Sequence, residues 1–292
     1  MAKWGMVIDI SKCTGCYACF IACKDEYWDN DYPPYTAGQP KHGQFWMNLI
    51  KKERGVYPNI KVAYIPYLCM QCEDAPCLKD AKDGAIYTRP DGIVVIDPEK
   101  AVGQKYLVET CPYEVIFWNE ERKLPQKCTF CVHRVLEGKL PRCIQSCPSG
   151  CLQFGDLDDP NSEVAKLLKS AKAEVYHPDF SPKNNVYYIN LHKITKNFLA
   201  GAVVFGDVDE CAEDVTVTLT DQSTGKTTVT RTNFFGNFDF DGLNSGKYSL
   251  KLEYRGYAPK SMNVNLKTDD FVGDIVLNRF GSVKKVSRST KA

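Results

Sequence analysis

The chain has 292 residues, with 37 Lys and Arg against 36 Asp and Glu, and it carries 14 cysteines. That length suits two domains of ordinary size, and the near-zero net charge removes the electrostatic case for nucleic acid or an anionic membrane. No apolar run approaches the roughly 18 residues of a membrane span, "MAKWGMVIDI" has no signal-peptide pattern, and the cysteines fall in tight CxxC groups unlike those of a small secreted disulfide scaffold. The expectation is a soluble, cytoplasmic, metal-binding protein.

The first cysteine group is Cys13, Cys16, Cys19 and Cys23, spaced CxxCxxCxxxC. Iron–sulfur clusters need thiolate ligands, and this spacing lets one loop set three sulfurs around one cube. The fourth, opening a helical turn, points to the other cluster of a pair. A structural zinc site uses two pairs of ligands and has no use for a regular triplet. An aromatic, Pro-rich stretch over 25–67 follows, containing "YWDNDYPPYTAGQPKHGQFWMNL". It reads as an interface, the plainer alternative being a self-packed loop. Trp28, Trp46 and Trp118 are read as packing or interface residues before any electron path.

The second group, Cys69, Cys72 and Cys77, has Ala81 where a fourth cysteine would stand. Next, "IDPEKAVGQKYLVETC" (96–111) repeats "IDISKCTGCYACFIAC" (8–23) at a constant offset. Ile8-Asp9 falls on Ile96-Asp97, Lys12 on Lys100, Gly15 on Gly103 and Cys23 on Cys111. Ala101, Gln104 and Leu107 take the places of Cys13, Cys16 and Cys19. This segment reads as a ferredoxin repeat that has lost its triplet. The last group is Cys128, Cys131, Cys143 and Cys147, followed by Pro148, with the loop "VHRVLEGKLPR" inserted between its second and third ligands.

In paired arrangements, three cysteines of one motif take their fourth ligand from the end of the partner motif. Pairing first with last gives one cluster on Cys13, Cys16, Cys19 and Cys147, and a second on Cys128, Cys131, Cys143 and Cys23. Pairing the middle motifs gives a third on Cys69, Cys72, Cys77 and Cys111. A fourth would need positions 81, 101, 104 and 107, none of which is cysteine. The expectation is three 4Fe–4S clusters and one vacated site. Cys151 is left as a spare or buried thiol, and Cys211 is expected to be a buried small apolar residue. His133, beside the last group, is expected at the surface or in a hydrogen bond, because the cysteines already close the ligand sets.

Residues 161–175 have helical composition, with Asn161 or Ser162 as N-cap, and a connector punctuated by His177-Pro178 and Ser181-Pro182 follows. From about residue 198, "VTVTLTD", "KTTVTRT", "NFDFDG" and "KYSLKLEY" alternate apolar and polar residues as half-buried strands do, with "GAVVFG" before them and "FVGDIVL" after. Gly225, Gly236, Gly242, Asn244 and Gly246 supply the turns. About seven short strands predict a β-sandwich. The fold class is therefore α+β. A ferredoxin-like domain occupies 1–197, with an insertion at 25–67 and a helical connector at 156–197. A β-sandwich occupies 198–280, and a basic tail expected to be flexible occupies 281–292.

This twelve-cysteine pattern resembles the iron–sulfur subunits of the dimethyl sulfoxide reductase superfamily, which hold up to four clusters in two ferredoxin-like halves. With the vacated site, "YTAGQPKHGQFWMN" and "TNFFGNFDFDGLNSGKYSL", it is most similar to the small subunits of anaerobic aromatic hydroxytransferases. That resemblance implies a transthyretin-like antiparallel sandwich and no catalytic residue on this chain. It also implies a large catalytic partner holding molybdenum on two molybdopterin guanine dinucleotides. Three readings stay open: the cluster subunit of such a hydroxytransferase, the electron-transfer subunit of a related reductase or aromatic dehydroxylase, and a free polyferredoxin.

Overall fold

The computed structural model describes residues 2–281 apart from 182 and 209, so the tail beyond Gly281 and Pro182 of the connector lie outside the described residues. The chain forms two compact units: Met1–Lys52 with Ala63–Leu191, and Glu53–Val62 with His192–Ala292.

The first unit contains β1 (Trp4–Asp9), α1 (Ala18–Tyr27), the pair β2 (Met47–Val56) and β3 (Asn59–Leu68), α2 (Pro76–Lys79), β4 (Ile86–Thr88) and β5 (Val94–Ile96). It continues with β6 (Phe117–Asn119), β7 (Leu124–Gln126), α3 (Val132–Leu136), α4 (Arg142–Gln145), β8 (Leu152–Asp156), α5 (Glu163–Ser170), β9 (Ala173–Glu174) and β10 (Val186–Ile189). The tip of the β2–β3 pair, Glu53–Val62, counts with the second unit. One four-stranded sheet runs β8-β1-β10-β9, with β1 parallel to β10 and antiparallel to β8. Consecutive apolar residues at Met6, Val7 and Ile8 suit β1 for this central place, and all three are buried.

Both copies of the internal repeat make the same turn. At the end of β1 the Asp9 carboxylate accepts from the Ser11 N–H at 3.0 Å. At the end of β5 the Asp97 carboxylate accepts from the N–H groups of Glu99 and Lys100 at 3.0 and 3.1 Å. Gly15 and Gly103 then both turn left-handed, at φ 68° and 80°. At Gly15 any side chain would also strike the Tyr64 ring, 2.6 Å from the Cβ position.

The hairpins β4–β5 and β6–β7 were not expected from sequence, since three-residue strands carry too little alternation to register. The expected helix starts at Glu163, where the Ser162 hydroxyl accepts from the Ala165 N–H at 3.1 Å. It stops at Ser170, because Ala173 and Glu174 pair with β10 instead of continuing the helix.

The second unit holds α6 (His192–Thr195) and the strands β11 (Asn197–Phe205), β12 (Glu210–Cys211), β13 (Thr216–Asp221), β14 (Thr227–Arg231), β15 (Asn237–Leu243), β16 (Gly246–Glu253), β17 (Lys260–Leu266) and β18 (Asp270–Leu277). One sheet runs β12-β11-β15 with β18 also on β11, and the other runs β14-β13-β16-β17. The core between them is built from the inward residues of alternating strands, among them Leu199, Val217, Phe238, Leu250, Leu252 and Ile275. The sandwich is antiparallel with one departure: β11 and β18 run parallel.

A second correction concerns Cys211, which is exposed and not buried. Strand alternation gives the inward place to its neighbour Ala212, which is fully buried.

Arg54, at the hairpin tip, is almost fully buried in the second unit. Its guanidinium pairs with Asp241 at 3.2 Å and Asp269 at 3.7 Å and donates to the Lys196 carbonyl. Burial works against ionisation of Asp241, but Lys61 and Arg54 together hold its carboxyl below the usual range. That stabilisation is present above the unfolded pKa near 3.9 and is lost as pH falls through the folded value. Arg54→Met is expected to destabilise this unit by about 3 kcal/mol at neutral pH, since it takes a buried cation from Asp269 and leaves Asp241 with Lys61 alone. It should also flatten the acid limb of stability. Denaturant unfolding from pH 7 to pH 3 tests both, and an unchanged midpoint would show the pairs to be dispensable.

Candidate metal centres

Cys19 and Cys23 stand one turn apart on α1, both buried, so a single helix delivers thiols to two neighbourhoods. Burial pushes Cys19 up to about 12, and the thiols of Cys13, Cys147 and Cys16 push in the same direction by like-charge repulsion. These four therefore lie together. Cys143 is raised by burial and then by Cys131, Cys23 and Cys128, which forms a second quartet. Cys77 is pushed up to about 12 by burial, with Cys69, Cys111 and Cys72 adding to it. Cys69, Cys72, Cys77 and Cys111 line one cavity.

Cys16 is exposed, Cys13, Cys111 and Cys147 are half-buried, and the other eight of the twelve are buried. The first quartet adjoins the second through Cys19 beside Cys23, and the second adjoins the third through Cys128 beside Cys69.

Among the described residues no three His, Cys, Asp or Glu side chains close around a single metal ion. A zinc site gathers all its sulfurs on one ion with arms of about 2.3 Å, whereas in a four-iron cube each thiolate binds its own corner, which calls for a wider spacing. The surroundings suit a cluster as well. Buried thiols raised by desolvation give up protons when they become ligands, and N–H groups are aimed at the sulfurs.

The Phe130 N–H donates to Cys128 Sγ at 3.4 Å and the Arg142 N–H to Cys131 Sγ at 3.5 Å. The first is made possible by a left-handed turn at Phe130 and Cys131, at φ 54° and 51°. The Tyr27 hydroxyl, paired with Thr129 Oγ1 at 2.9 Å, also works against the rise that burial imposes on Cys131. Burial alone would raise Cys147, yet the N–H groups of Leu152, Cys151 and Ser149 and the Ser149 hydroxyl bring it below the usual thiol range.

Of two further neighbours of the quartets, sequence left Cys151 as a spare or buried thiol and did not single out Lys127. Cys151 is buried and donates to Cys13, which lowers Cys13 to about 7 and raises Cys151. Lys127 lines the cavity of the third quartet and is itself buried. His133 takes the expected hydrogen-bonding role, with Nε2 at 2.9 Å from Glu26 Oε1 and its ring stacked on Tyr32 at 3.6 Å. Trp46 is buried and donates to Gln44, whereas Trp28 is exposed.

The segments that carry the four positions without cysteine are tied together through Gln104. Gln104 sits among them, accepting from the Lys82 N–H and donating to the carbonyls of Lys82 and Lys100. Tyr106 donates to Gln104 Oε1 at 2.7 Å and to the Asp80 carbonyl at 3.2 Å. Ala101 and Leu107 are fully buried.

Residues 60–157 match the 4Fe-4S dicluster domain family, and residues 199–277 match the carboxypeptidase regulatory-like domain family. The chain is 42% identical over 276 residues to the pyrogallol hydroxytransferase small subunit of Pelobacter acidigallici, covering 92% of this chain and 96% of that one. The chain belongs to this family of small, iron–sulfur subunits. Wider relatives of the family include a sulfite dehydrogenase subunit of Allochromatium vinosum, 33% identical over 66% of this chain and 85% of its own length. Another is the iron–sulfur subunit of a putative dimethyl sulfoxide reductase of Halobacterium salinarum, 34% identical over 65% of this chain and 80% of that one. These alignments cover about two thirds of the chain, while the pyrogallol hydroxytransferase small subunit aligns over nearly all of it. Among the described residues no helix is long and apolar enough to cross a membrane.

Proposed function

We propose that the chain is the non-catalytic iron–sulfur subunit of a cytoplasmic molybdenum hydroxytransferase converting pyrogallol to phloroglucinol. Its partner is a large subunit that carries molybdenum on two molybdopterin guanine dinucleotides and binds the phenol. The end-to-end match to the pyrogallol hydroxytransferase small subunit carries this reading.

On this reading the chain holds three 4Fe–4S clusters in two ferredoxin-like halves. Cys13, Cys16, Cys19 and Cys147 hold the first. Cys23, Cys128, Cys131 and Cys143 hold the second. Cys69, Cys72, Cys77 and Cys111 hold the third. Bound clusters supply one-electron storage and relay. The chain contributes burial, which keeps water from the sulfurs, and donors such as the Phe130 and Arg142 N–H groups, which favour the more negative reduced state. The adjacency of the quartets supports the order one, two, three, with exposed Cys16 at one end.

A reductase or aromatic dehydroxylase drawing on an external donor is the second reading, favoured by the likeness to the iron–sulfur subunit of a putative dimethyl sulfoxide reductase. Anaerobic co-purification with the large subunit, a molybdenum assay and turnover of pyrogallol separate the two. Phloroglucinol formed without added reductant is the expected result. A dehydroxylated ring formed only under continuous electron supply would replace the hydroxytransferase reading with the reductase one.

A further inference from the structure

The residue before the first ligand position is lysine in three of the motifs: Lys12, Lys100 and Lys127. Lys12 and Lys100 are exposed and each leans on an aspartate three residues earlier, at 4.0 Å to Asp9 and 3.8 Å to Asp97. At Lys127 that earlier position is Leu124, and no acid is available there. Lys127 instead turns inward and is 2% exposed. Its ammonium donates to the Val94 carbonyl and, at 3.2 Å, to the Cys128 carbonyl, and among the described residues it takes part in no ion pair. Gln71 braces the same two residues, accepting from the Val94 N–H at 2.8 Å and donating to the Cys128 carbonyl at 2.9 Å. Two of the three ammonium donors are therefore used, and the side chain lines the cavity of Cys69, Cys72, Cys77 and Cys111.

A buried cation with only dipoles for partners calls for a countercharge. Four thiolates around a 4Fe–4S core provide it, since that assembly is anionic in both oxidation states and more so when reduced. We propose that Lys127 is a positioning residue for electron transfer: its buried ammonium is the fixed countercharge of the cluster held by Cys69, Cys72, Cys77 and Cys111, and it favours that cluster's reduced state. This rests on the cluster assignment above. Lys127 lines the cavity of the third cluster itself and meets the second quartet only at the Cys128 carbonyl, so the second cluster should feel its charge less, and the first least. The energy gradient along the relay would then fall toward the third cluster, which makes it the electron reservoir.

The test is a potentiometric titration followed by electron paramagnetic resonance on the anaerobic two-subunit complex, comparing wild type, Lys127→Met and Lys127→Arg. Lys127→Met is expected to keep its iron. At the wild-type midpoint, the reduced-to-oxidised ratio of the third cluster should fall about tenfold, a shift of about 59 mV for a one-electron couple. The first cluster should stay in place, and Lys127→Arg should titrate like wild type. Superimposed curves for Lys127→Met and wild type overturn the proposal, as does an Arg variant shifted as far as the Met variant. If Lys127→Met loses the third cluster, Lys127→Arg decides: full iron at the wild-type potential supports the countercharge, and iron loss there too overturns it. If a complex with Lys127 intact keeps all its iron when Cys111 is replaced by alanine, the cluster assignment has failed, and not the role of Lys127.

Discussion

Replacing Cys111 by alanine is expected to lower the iron of the anaerobically purified chain from about twelve atoms to about eight. Cys111 is the one thiol in a segment whose other ligand positions are Ala101, Gln104 and Leu107, so a reading by local motif alone would assign it no cluster. The ligand exchange of paired clusters assigns it to Cys69, Cys72 and Cys77. Cys111 lines their cavity and acts electrostatically on Cys77 and Cys72. Without its fourth thiolate the third cluster loses an anchor at a half-buried edge, where water can enter.

The controls are the two remaining thiols. Cys151→Ala and Cys211→Ala are expected to keep the full iron content, although Cys151 touches Cys13. Iron analysis with electron paramagnetic resonance checks all three variants. Loss of a single iron from Cys111→Ala, with a three-iron signal in its place, would still mark Cys111 as a ligand. An unchanged count and spectrum would remove it from the third set and with it the exchange scheme.

The metal-binding part was legible because thiolate chemistry imposes spacing on the chain itself. CxxCxxCxxxC needs no tertiary information to be read, and the repeat of Ile8-Asp9 at Ile96-Asp97 shows directly as sequence. The sandwich strands were legible for a related reason: Thr216–Asp221 and Gly246–Glu253 alternate cleanly because one face of each is core. What stayed hidden depends on partners distant in sequence. Lys127 looks like Lys12 and Lys100 until its missing aspartate is noticed, and only the fold shows it turned inward. Cys211 was assigned by residue type, yet the pleat gave the buried place to Ala212. The parallel pairing of β18 with β11 joins residues about seventy apart and leaves no local pattern.

Leu107→Ala is expected to destabilise the first unit by about 3 kcal/mol while leaving its iron content unchanged. The two halves of this outcome follow from what occupies the positions that a fourth ligand set would need. Leu107 falls where Cys19 falls in the first repeat, yet its side chain is fully buried, as is Ala101 in the place of Cys13. An iron–sulfur core ties together the loops that supply its ligands. Here the same loops are tied by Gln104, which bonds to the backbone of Lys82 and Lys100, and by Tyr106, which reaches the Asp80 carbonyl. The place is thus ordinary protein interior, with an apolar plug and a polar staple, and truncating the plug should open a cavity of the kind that costs several kcal/mol. Anaerobic denaturant unfolding and iron analysis of the same preparation read the two halves separately. For the same reason, cysteine placed singly at 81, 101, 104 or 107 should add no iron: four thiolates are needed together, and Gln104→Cys would in addition remove the staple. A single-cysteine variant that gained about four irons would mean that the pocket is still preformed and that its missing ligands come from elsewhere in the chain.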